Sequence, residues 1–414
     1  MVVNEKQVES WDTTRHVAPG TPQCGMTLER GAARWRVPFH EPHLTDHDID
    51  AVVAVLRTGW ITTGAQCVAF ETAFADRLGP GVEAVAVSSG TAALHLALEA
   101  VGVDHEDLVL TADYTFTASA EVSRYLGAHP VLVDVDARTG VVTPETVLAA
   151  YDRLSPADRR RVTALVPVHL GGLPAPMTEL ANLAAEHGWA LVDDAAHALP
   201  SYHAGQPIGT LGDATAFSFY VTKTLCTGEG GMVVTRNHEW AQRMRRMRMH
   251  GIDREAFDRY RAANRWYYEV VAPGFKYNLP DTAAALGLAR LPRLDTERAR
   301  RAQIAARYTE AFSTVPGLTP PPDAAGNDQH AWHLYTLRVS GGIAVRDAMI
   351  EELAGEGIGT SVHFIPLHLQ PYYRDTYHLH SEQFPEATAL YHQEISLPIF
   401  PTMTDEQVAV VCEA

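Results

Sequence analysis

Residues 190–235 run ALVDDAAHALPSYHAGQPIGTLGDATAFSFYVTKTLCTGEGGMVVT and contain three short apolar segments. These segments are ALVDD (190–194), ATAFSFY (214–220) and GGMVVT (230–235). Their apolar runs are continuous rather than alternating, which is typical of strands in a sheet that is covered on both faces. This stretch therefore predicts an α/β fold with buried, mostly parallel strands.

Candidate strands and helices alternate on the amino-terminal side of this stretch. The predicted strands are 82–88, 107–112, 129–136 and 162–169. The predicted helices are 44–59, 90–103, 119–128, 143–154 and 177–188, with 239–251 and 281–294 further along the chain. The alternation predicts a mostly parallel sheet of about seven strands with helices on both sides.

The two ends of the chain differ from this pattern. Residues 1–36 are polar and irregular, and we predict an N-terminal extension there. A large domain is predicted over 37–295. A strand at 333–339, a helix at 345–357 and a further strand at 360–364 predict a smaller C-terminal α+β domain over 296–414.

Composition excludes several classes of protein. The chain has 414 residues and a net charge of −17, which argues against a general nucleic-acid binder. Its four cysteines lie far apart, and this spacing favours a reducing compartment over a disulfide framework. The sequence shows no signal-peptide pattern and no apolar run of the ~18 residues that a membrane helix needs. We therefore expect a cytoplasmic protein without a membrane partner.

No metal site is predicted. His40, His43 and His47 are spaced like metal ligands, but Pro42 lies among them and the chain has no His-Glu-x-x-His pattern.

Chemistry-bearing residues follow several of the predicted strands. Ser88-Ser89-Gly90-Thr91 lies where a strand gives way to a helix, and the amides of a helix start bind phosphate well. The alternative is that Ser89 is simply an N-cap. An aromatic residue, Phe116, follows the 107–112 strand and can stack on a flat ring, although a core position is the alternative.

Two carboxylates and one lysine follow later strands. Asp193 and Asp194 end an apolar strand, where a carboxylate can stabilise a protonated heterocyclic nitrogen or cap a helix. Lys223 follows Ser218 in the loop between two apolar strands, and a buried lysine there can form a Schiff base. The alternative is a surface lysine. A phosphate cradle, stacking aromatic, ring carboxylate and Schiff-base lysine are together the parts of a pyridoxal phosphate (PLP) site.

Longer motifs strengthen this interpretation. They are TGWITTG (58–64), SSGTAALHLAL (88–98), DDAAHA (193–198), FSFYVTK (217–223), TGEGG (227–231), GFKYNLPDTAAALGL (274–288), HAWHLY (330–335), VHF (362–364) and SLPIFP (396–401). From about residue 37 to its end, the chain resembles the DegT/StrS family of PLP-dependent sugar aminotransferases, which have fold type I.

The resemblance implies roles for individual residues. Lys223 matches the lysine that binds the cofactor, Asp194 the partner of its pyridine nitrogen, and His197 a position beside its phenolate oxygen. Phe116 matches the aromatic that stacks on the ring. Gly90, Thr91 and Ser218 match the residues that bind the phosphate. Ser89 is a further candidate because it lies where the helix begins. Ala112 replaces a common Pro. Asp193 replaces a common Glu, which leaves open the role of Asp193 beside Asp194.

The resemblance also implies a homodimer with shared active sites. The 274–281 loop, with Lys276 and Asn278, would reach into the partner's site. The loop at Trp60–Gly64, with Thr62 and Thr63, would line the sugar pocket. Candidates for holding a pyrophosphate are Lys276, Arg246, Arg254 and His363.

The activity implied by the resemblance is amino transfer. The expected donor is L-glutamate, and the expected acceptor is the keto carbon, carbon 4, of a nucleotide-linked keto-deoxysugar. The cofactor would alternate between PLP and pyridoxamine phosphate (PMP), and the products would be amino sugars of antibiotics or surface glycans. Lys276-Tyr277-Asn278 and His197 resemble the branch that acts at carbon 4. The alternatives are a keto-cyclitol aminotransferase of aminoglycoside assembly and a non-catalytic PLP-binding sensor.

Overall fold

The computed structural model describes residues 35–253 and 267–414. The α-helices are Asp46–Thr58, Ala65–Leu78, Gly90–Ala100, Ala118–Tyr125, Pro144–Asp152, Pro156–Arg159, Met177–His187, His238–Met247, Asp281–Arg290, Leu294–Phe312, Ile343–Gly355, Pro371–Tyr377, Pro385–Gln393 and Asp405–Glu413. The strands are β1 Glu83–Val87, β2 Leu108–Ala112, β3 His129–Val133, β4 Val162–Val166, β5 Ala190–Asp194, β6 Tyr202–His203, β7 Gln206–Pro207, β8 Ala214–Ser218, β9 Gly231–Thr235, β10 Leu318–Thr319, β11 Tyr335–Val339 and β12 Glu394–Leu397.

Seven strands form one sheet in the order β1-β9-β8-β5-β4-β2-β3. From β8 to β3 the neighbouring strands pair in parallel, whereas β9 is antiparallel to both β1 and β8. The strands therefore share one direction, except for β9. The predicted α/β fold with a mostly parallel sheet is confirmed, and all seven predicted strands are present in it.

Helices cover both faces of this sheet. Successive strand residues point to opposite faces, so Leu191 packs with the helices on one side and Val192 with those on the other. Phe70 and Phe74 of the helix Ala65–Leu78 lie in the first core, and Leu94 of the helix Gly90–Ala100 lies in the second. Burial on both faces explains why the strand sequences are continuously apolar.

The shared strand direction collects the chemistry-bearing residues at one edge of the sheet. The carboxyl ends of β1, β2, β5 and β8 lie at that edge, and the segments after them carry Ser89, Phe116, His197 and Lys223. Crevices at this edge are where open α/β sheets bind ligands.

The C-terminal elements form a second, three-stranded antiparallel sheet in the order β10-β11-β12. The strand predicted at 333–339 is present as β11. The prediction of a strand at 360–364 is wrong, since only Ser361 in this segment forms a β-bridge, and its partner is Ser396. The place beside β11 is filled by β12, and the backbone beyond Ser361 bends away to form a pocket wall.

Two long helices, Ala65–Leu78 and Leu294–Phe312, were not predicted. In the first, Cys67, Phe70, Phe74 and Leu78 are buried at helical spacing, a pattern that was available in the sequence. The helix starts without a side-chain cap of its own, so the usual start signal is missing.

The predicted division into domains stays a prediction. The boundary at 295/296 falls in the first turn of the helix Leu294–Phe312, and Val37 pairs with Ile358 and is buried among the C-terminal elements. Within residues 35–253 and 267–414, none of the helices has both the length and the apolar character needed to cross a bilayer.

Candidate active site

A pocket of about 400 Å³ opens at the carboxyl edge of the large sheet. Its walls come from segments that follow β1, β2, β5 and β8, and from the segment 363–364. Predicted site residues that line it are Ser89, Gly90, Thr91, Phe116, Asp194, His197, Ser218, Lys223 and His363.

Lys223 lies in the tight loop that joins β8 to β9. The loop is closed by hydrogen bonds from the Phe219 amide to the Gly230 carbonyl (2.8 Å) and from the Thr227 amide to the Phe219 carbonyl (2.9 Å). Burial lowers the pKa of Lys223 to about 8, although the negative charge of Asp194 acts to raise it. Lys223 is therefore a half-buried pocket residue with a substantial neutral fraction near physiological pH, rather than a surface lysine.

Asp194 ends β5 and is held by two hydrogen bonds. Its Oδ2 accepts from the Ser119 hydroxyl (2.7 Å), and its Oδ1 accepts from the Ala196 amide (3.0 Å). The carboxylate is 6% exposed and lines the pocket on the same side of the sheet as Lys223. A fixed, buried carboxylate of this kind suits a protonated heterocyclic nitrogen.

An aromatic wall surrounds these two charges. The His197 ring stacks on Phe364 at 5.9 Å, and His197 Nδ1 accepts a hydrogen bond from the Gly171 amide (3.2 Å). Burial and the charge of Lys223 lower the pKa of His197 well below its usual value. Phe116 is 57% exposed at the pocket, so the alternative reading of this residue as a core Phe is wrong.

The start of the helix Gly90–Ala100 forms another wall of the pocket. Ser89 is its N-cap and accepts a hydrogen bond from the Ala92 amide (3.0 Å). A Cβ atom at Gly90 would lie 2.8 Å from the Cβ of Ser218, and one at Gly231 would lie 2.4 Å from the Ser89 carbonyl oxygen. Glycine at both positions lets the helix start approach the ends of β8 and β9, where the helix dipole favours an anion.

Asp193 lies on the other face of β5 from Asp194. Its Oδ2 accepts a hydrogen bond from the Thr215 hydroxyl (2.9 Å) and lies 3.7 Å from His169 Nε2. It is fully buried and does not line the pocket of Lys223. Asp193 therefore makes buried contacts on the opposite face of β5 and is not part of the pocket.

Comparison with known proteins agrees with this arrangement. Residues 42–414 match the model of the DegT/DnrJ/EryC1/StrS aminotransferase family. The chain belongs to this family.

Relatives of this aminotransferase include proteins of sugar biosynthesis. It is 42% identical over 381 residues to the spore coat polysaccharide biosynthesis protein SpsC of Bacillus subtilis, a match that covers 91% of this chain and 96% of SpsC. The solved structure of the aminotransferase TlmJ from Streptoalloteichus hindustanus has a TM-score of 0.82 at 34% identity and covers 91% of this chain and 97% of TlmJ. Spr1654 of Streptococcus pneumoniae has been solved in a PLP form and a PMP form. Each form has a TM-score of 0.82 at 30% identity and covers 91% of this chain and 97% of Spr1654.

The chain is therefore a PLP-dependent aminotransferase with fold type I. The residues of the pocket fit this cofactor. A helix start approached closely by Ser218 suits the phosphate, Asp194 suits the ring nitrogen, and Lys223 suits the aldehyde.

Sequence reasoning missed several residues of this aminotransferase pocket. Ser119, which fixes Asp194, lies 75 residues away in sequence and carries no motif signal. His333 lines the pocket with its ring 4.4 Å from that of His197, and it lies in the motif HAWHLY. Further lining residues that were not predicted are Thr115, Tyr220, Thr222, Glu229 and Phe364.

Several predicted substrate and loop residues gather elsewhere. Trp60 Nε1 donates to the Thr63 carbonyl (3.1 Å), the Asn278 amide donates to Thr63 Oγ1 (2.7 Å), and Lys276 Nζ donates to Asn278 Oδ1. Thr62 is exposed next to them. These residues form one surface cluster and are not among those lining the Lys223 pocket of the same chain.

Of the two arginines predicted to hold a pyrophosphate, Arg246 and Arg254, the structure describes only Arg246. Arg246 is exposed on the helix His238–Met247 and is not among the residues lining the pocket, and Arg254 lies outside the described residues. Neighbouring Arg243 and Arg245 form ion pairs with Glu99 and Glu83. Among the residues that the structure describes, no group of three or more His, Cys, Asp or Glu is placed to hold a metal ion.

Proposed function

We propose that this aminotransferase transfers the amino group of L-glutamate to carbon 4 of a nucleotide-linked 4-keto-deoxysugar. The product would be an amino sugar for an antibiotic or a surface glycan. The observation that carries the proposal is the pairing, in one pocket, of Lys223, whose pKa is lowered to about 8, with the fixed carboxylate of Asp194. SpsC, named for spore coat polysaccharide biosynthesis, and PseC of Helicobacter pylori, described as acting in pseudoaminic acid biosynthesis, support a sugar acceptor.

Lys223 is the residue that we assign to cofactor binding and proton transfer. When bound, PLP supplies an aldehyde that takes up the amino group and a ring that withdraws electrons from the reacting carbon. Lys223 would hold the cofactor through its amine, and as a free amine it would act as the base that moves a proton from the donor's α-carbon. A pKa near 8 keeps that amine partly neutral and hence basic at working pH.

Asp194 is assigned to the proton on the cofactor's ring nitrogen. Hydrogen bonds from Ser119 and Ala196 fix the carboxylate, so its charge is positioned before the cofactor arrives. His197 is assigned to the phenolate oxygen, with Nδ1 occupied by the Gly171 amide and Nε2 therefore carrying the ring proton.

The remaining pocket residues position the cofactor. The Ser89-Gly90-Thr91 helix start and Ser218 would bind the phosphate, and the exposed face of Phe116 would stack on the ring. His363 lies on the wall near Lys223 and is assigned to the acceptor.

A homodimer with shared sites is part of the proposal. Thr62 and Lys276 are exposed in the surface cluster described above, which leaves them available to a neighbouring copy. The segment 44–68, which includes the Trp60–Gly64 loop, exposes five large apolar side chains, each between 49% and 56% exposed, namely Leu44, Ile49, Leu56, Ile61 and Val68. An apolar surface of this kind favours association with a second copy, whose pocket would then receive Lys276 and Asn278. Arg246 and the Trp60–Gly64 loop stay candidates for the nucleotide and the sugar.

The experiment is a half-reaction followed by absorbance. Adding L-glutamate to the PLP-loaded protein should bleach the visible band and raise the near-ultraviolet PMP band, and Lys223→Ala should abolish the change. Adding dTDP-4-keto-6-deoxyglucose to the PMP form should restore the visible band. Restoration by a keto-cyclitol without a nucleotide would favour the cyclitol alternative, and no response to glutamate would contradict the proposed donor.

A further inference from the structure

A buried carboxyl group, Glu394, lies behind the wall of the pocket. Glu394 and Ser396 are two residues apart on β12, so both side chains lie on the same face of that strand. Glu394 is 2% exposed and Ser396 fully buried. That face meets the segment 361–364, which carries His363 into the pocket.

Three hydrogen bonds join these residues into a closed ring. Glu394 Oε2 accepts from the backbone amide of His363 (2.8 Å), and Glu394 Oε1 lies 2.5 Å from the Ser396 hydroxyl. The same hydroxyl lies 2.8 Å from His363 Nδ1. Glu394 is thereby linked to both the backbone and the imidazole of His363.

Counting protons around the ring gives two consistent states. An ionised carboxylate only accepts, so Ser396 gives its single proton to Glu394 and can offer His363 only lone pairs. The His363 ring must then carry its proton on Nδ1 and present a bare Nε2. A protonated Glu394 donates to Ser396 instead, Ser396 donates to Nδ1, and the ring proton moves to Nε2.

We infer that Glu394 is a positioning residue whose protonation state selects, through Ser396, which nitrogen of the neutral His363 ring carries the proton. In one state Nε2 donates a hydrogen bond, and in the other it accepts one. Glu394 exchanges its proton with solvent. The His363 imidazole and the Ser396 hydroxyl keep the same number of protons in both states, and only the positions of these protons change.

The surroundings place this change in a useful pH range. Burial raises the pKa of Glu394 to about 8, although the Ser396 and His363 hydrogen bonds and the charge of Arg346 act to lower it. Burial and the charge of Lys223 lower the pKa of His363 to about 4, so the ring is neutral while Glu394 titrates. Below pH 8 the donor form of Nε2 predominates, and above pH 8 the acceptor form predominates.

Other ionisable groups face the two residues from neighbouring elements. Around Glu394 these are Tyr114, Arg138, Arg338, Arg346 and Tyr391. Around His363 they are His40, His197, Lys223 and His333. A cavity of about 30 Å³, lined by Glu394, Tyr114 and Arg338 among others, has room for a water molecule.

The consequence for catalysis rests on the proposed function. If His363 contacts the acceptor, its Nε2 proton at neutral pH can donate to a sugar oxygen, and loss of that donor above pH 8 weakens acceptor binding. The tautomer itself does not depend on which acceptor the enzyme uses.

The test is ¹⁵N NMR of the PLP-loaded full-length protein with labelled histidine, in which His363→Gln assigns the His363 signals. Between pH 6.5 and 9.5, we expect the Nδ1 and Nε2 shifts of His363 to exchange their protonated and bare values with a midpoint near 8. Glu394→Gln should abolish this change and lock the Nε2 proton. Its amide oxygen can accept from the His363 backbone, while its NH₂ group donates to Ser396.

Ser396→Ala provides a second variant that keeps the carboxyl group. It should remove the midpoint near 8 from the His363 shifts because the link is cut. Unchanged His363 shifts over this range in the wild type, or the same change in Glu394→Gln as in the wild type, would overturn the inference. The NMR measurement needs no sugar. If the NMR result is as expected but the sugar acceptor does not react, the proposed substrate is rejected and the inference about Glu394 stands.

Discussion

Oδ1 of Asp281 lies 2.7 Å from the amide nitrogen of Gly64, although 217 residues separate them in the sequence. The same carboxylate accepts from the amides of Cys67 (3.0 Å) and Gln66 (3.2 Å). Asp281 thus begins one helix and caps another, Ala65–Leu78, which has no side-chain cap of its own. This contact ties the Trp60–Gly64 loop to the 274–281 loop.

Asp281→Ala should therefore destabilise the protein by about 1–3 kcal/mol, because it removes a cap and leaves buried amides unpaired. Chemical denaturation of the PLP-loaded protein measures the loss. Asp295→Ala is the matched control, since Asp295 is an exposed carboxylate paired with Arg77 and should change stability by less than about 0.5 kcal/mol. Equal losses in the two variants would contradict the capping role.

Asp194→Asn should preserve the shape of the side chain and remove its charge. We expect turnover to fall roughly 100- to 1000-fold, the range typical of losing a positioned electrostatic group. Steady-state rates and the glutamate half-reaction measure the effect. Ser119→Ala removes only one of the hydrogen bonds to Asp194 and should give a smaller loss, so a loss as large as that of Asp194→Asn would argue against Asp194 as the main contributor.

Lys223 should control the pH dependence of cofactor uptake. The neutral amine is the form that reacts with the PLP aldehyde, and lowering the pKa to about 8 makes that form predominate above pH 8. The rate at which the cofactor-free protein takes up PLP should therefore rise with pH with a midpoint near 8. Asp194→Asn removes the charge that raises this pKa, so its midpoint should shift to lower pH. A shift to higher pH would contradict the assigned interaction.

Lysine mapping gives a direct test of the cofactor's attachment. The chain has only three lysines, Lys6, Lys223 and Lys276. After borohydride reduction of the PLP-loaded protein, peptide mass spectrometry should find the pyridoxyl group on Lys223. Unmodified Lys6 and Lys276 in the same digest serve as internal controls, and a label on either in place of Lys223 would reject the site.

Gly90→Ala should weaken cofactor binding, because its Cβ would lie 2.8 Å from the Cβ of Ser218. Overpacking of about 1–3 kcal/mol corresponds to roughly 5- to 150-fold weaker PLP binding. Titration of the cofactor-free protein with PLP measures this. Gly355→Ala is the control, since Gly355 lies in a helix with no atom within 4 Å of its Cβ position, and it should leave PLP affinity unchanged.

The parts that could be predicted from the sequence are those determined by neighbouring residues. Each strand of the large sheet contains a short apolar run, Asp194 is the last residue of one such strand, and Lys223 lies in the loop that follows another. The parts that could not be predicted depend on distant contacts. Ser119 reaches Asp194 across 75 residues, Asp281 supplies a cap for a helix 217 residues earlier, and β12 occupies the place predicted for 360–364.

The pocket shows the same division. The predicted cofactor residues gather because their strands share a direction, whereas Lys276, Asn278 and Thr63 bond to one another away from Lys223. The resemblance predicts that Lys276 and Asn278 act in the site of a neighbouring copy, and these two residues are not among those lining the pocket of their own chain.

The reversed strand β9 has a consequence for how the chain is made. Within residues 35–253 and 267–414, β1 pairs in the large sheet with β9 alone, so Glu83–Val87 has no strand partner there until residues 231–235 have been synthesised. The backbone partner of Val37 is synthesised later still, since Val37 pairs with Ile358. During translation the growing chain therefore carries an unpaired apolar strand while about 150 further residues are added, which at roughly 5–20 residues per second takes about 7 to 30 seconds. We expect newly made chains to depend on protection from aggregation during that interval.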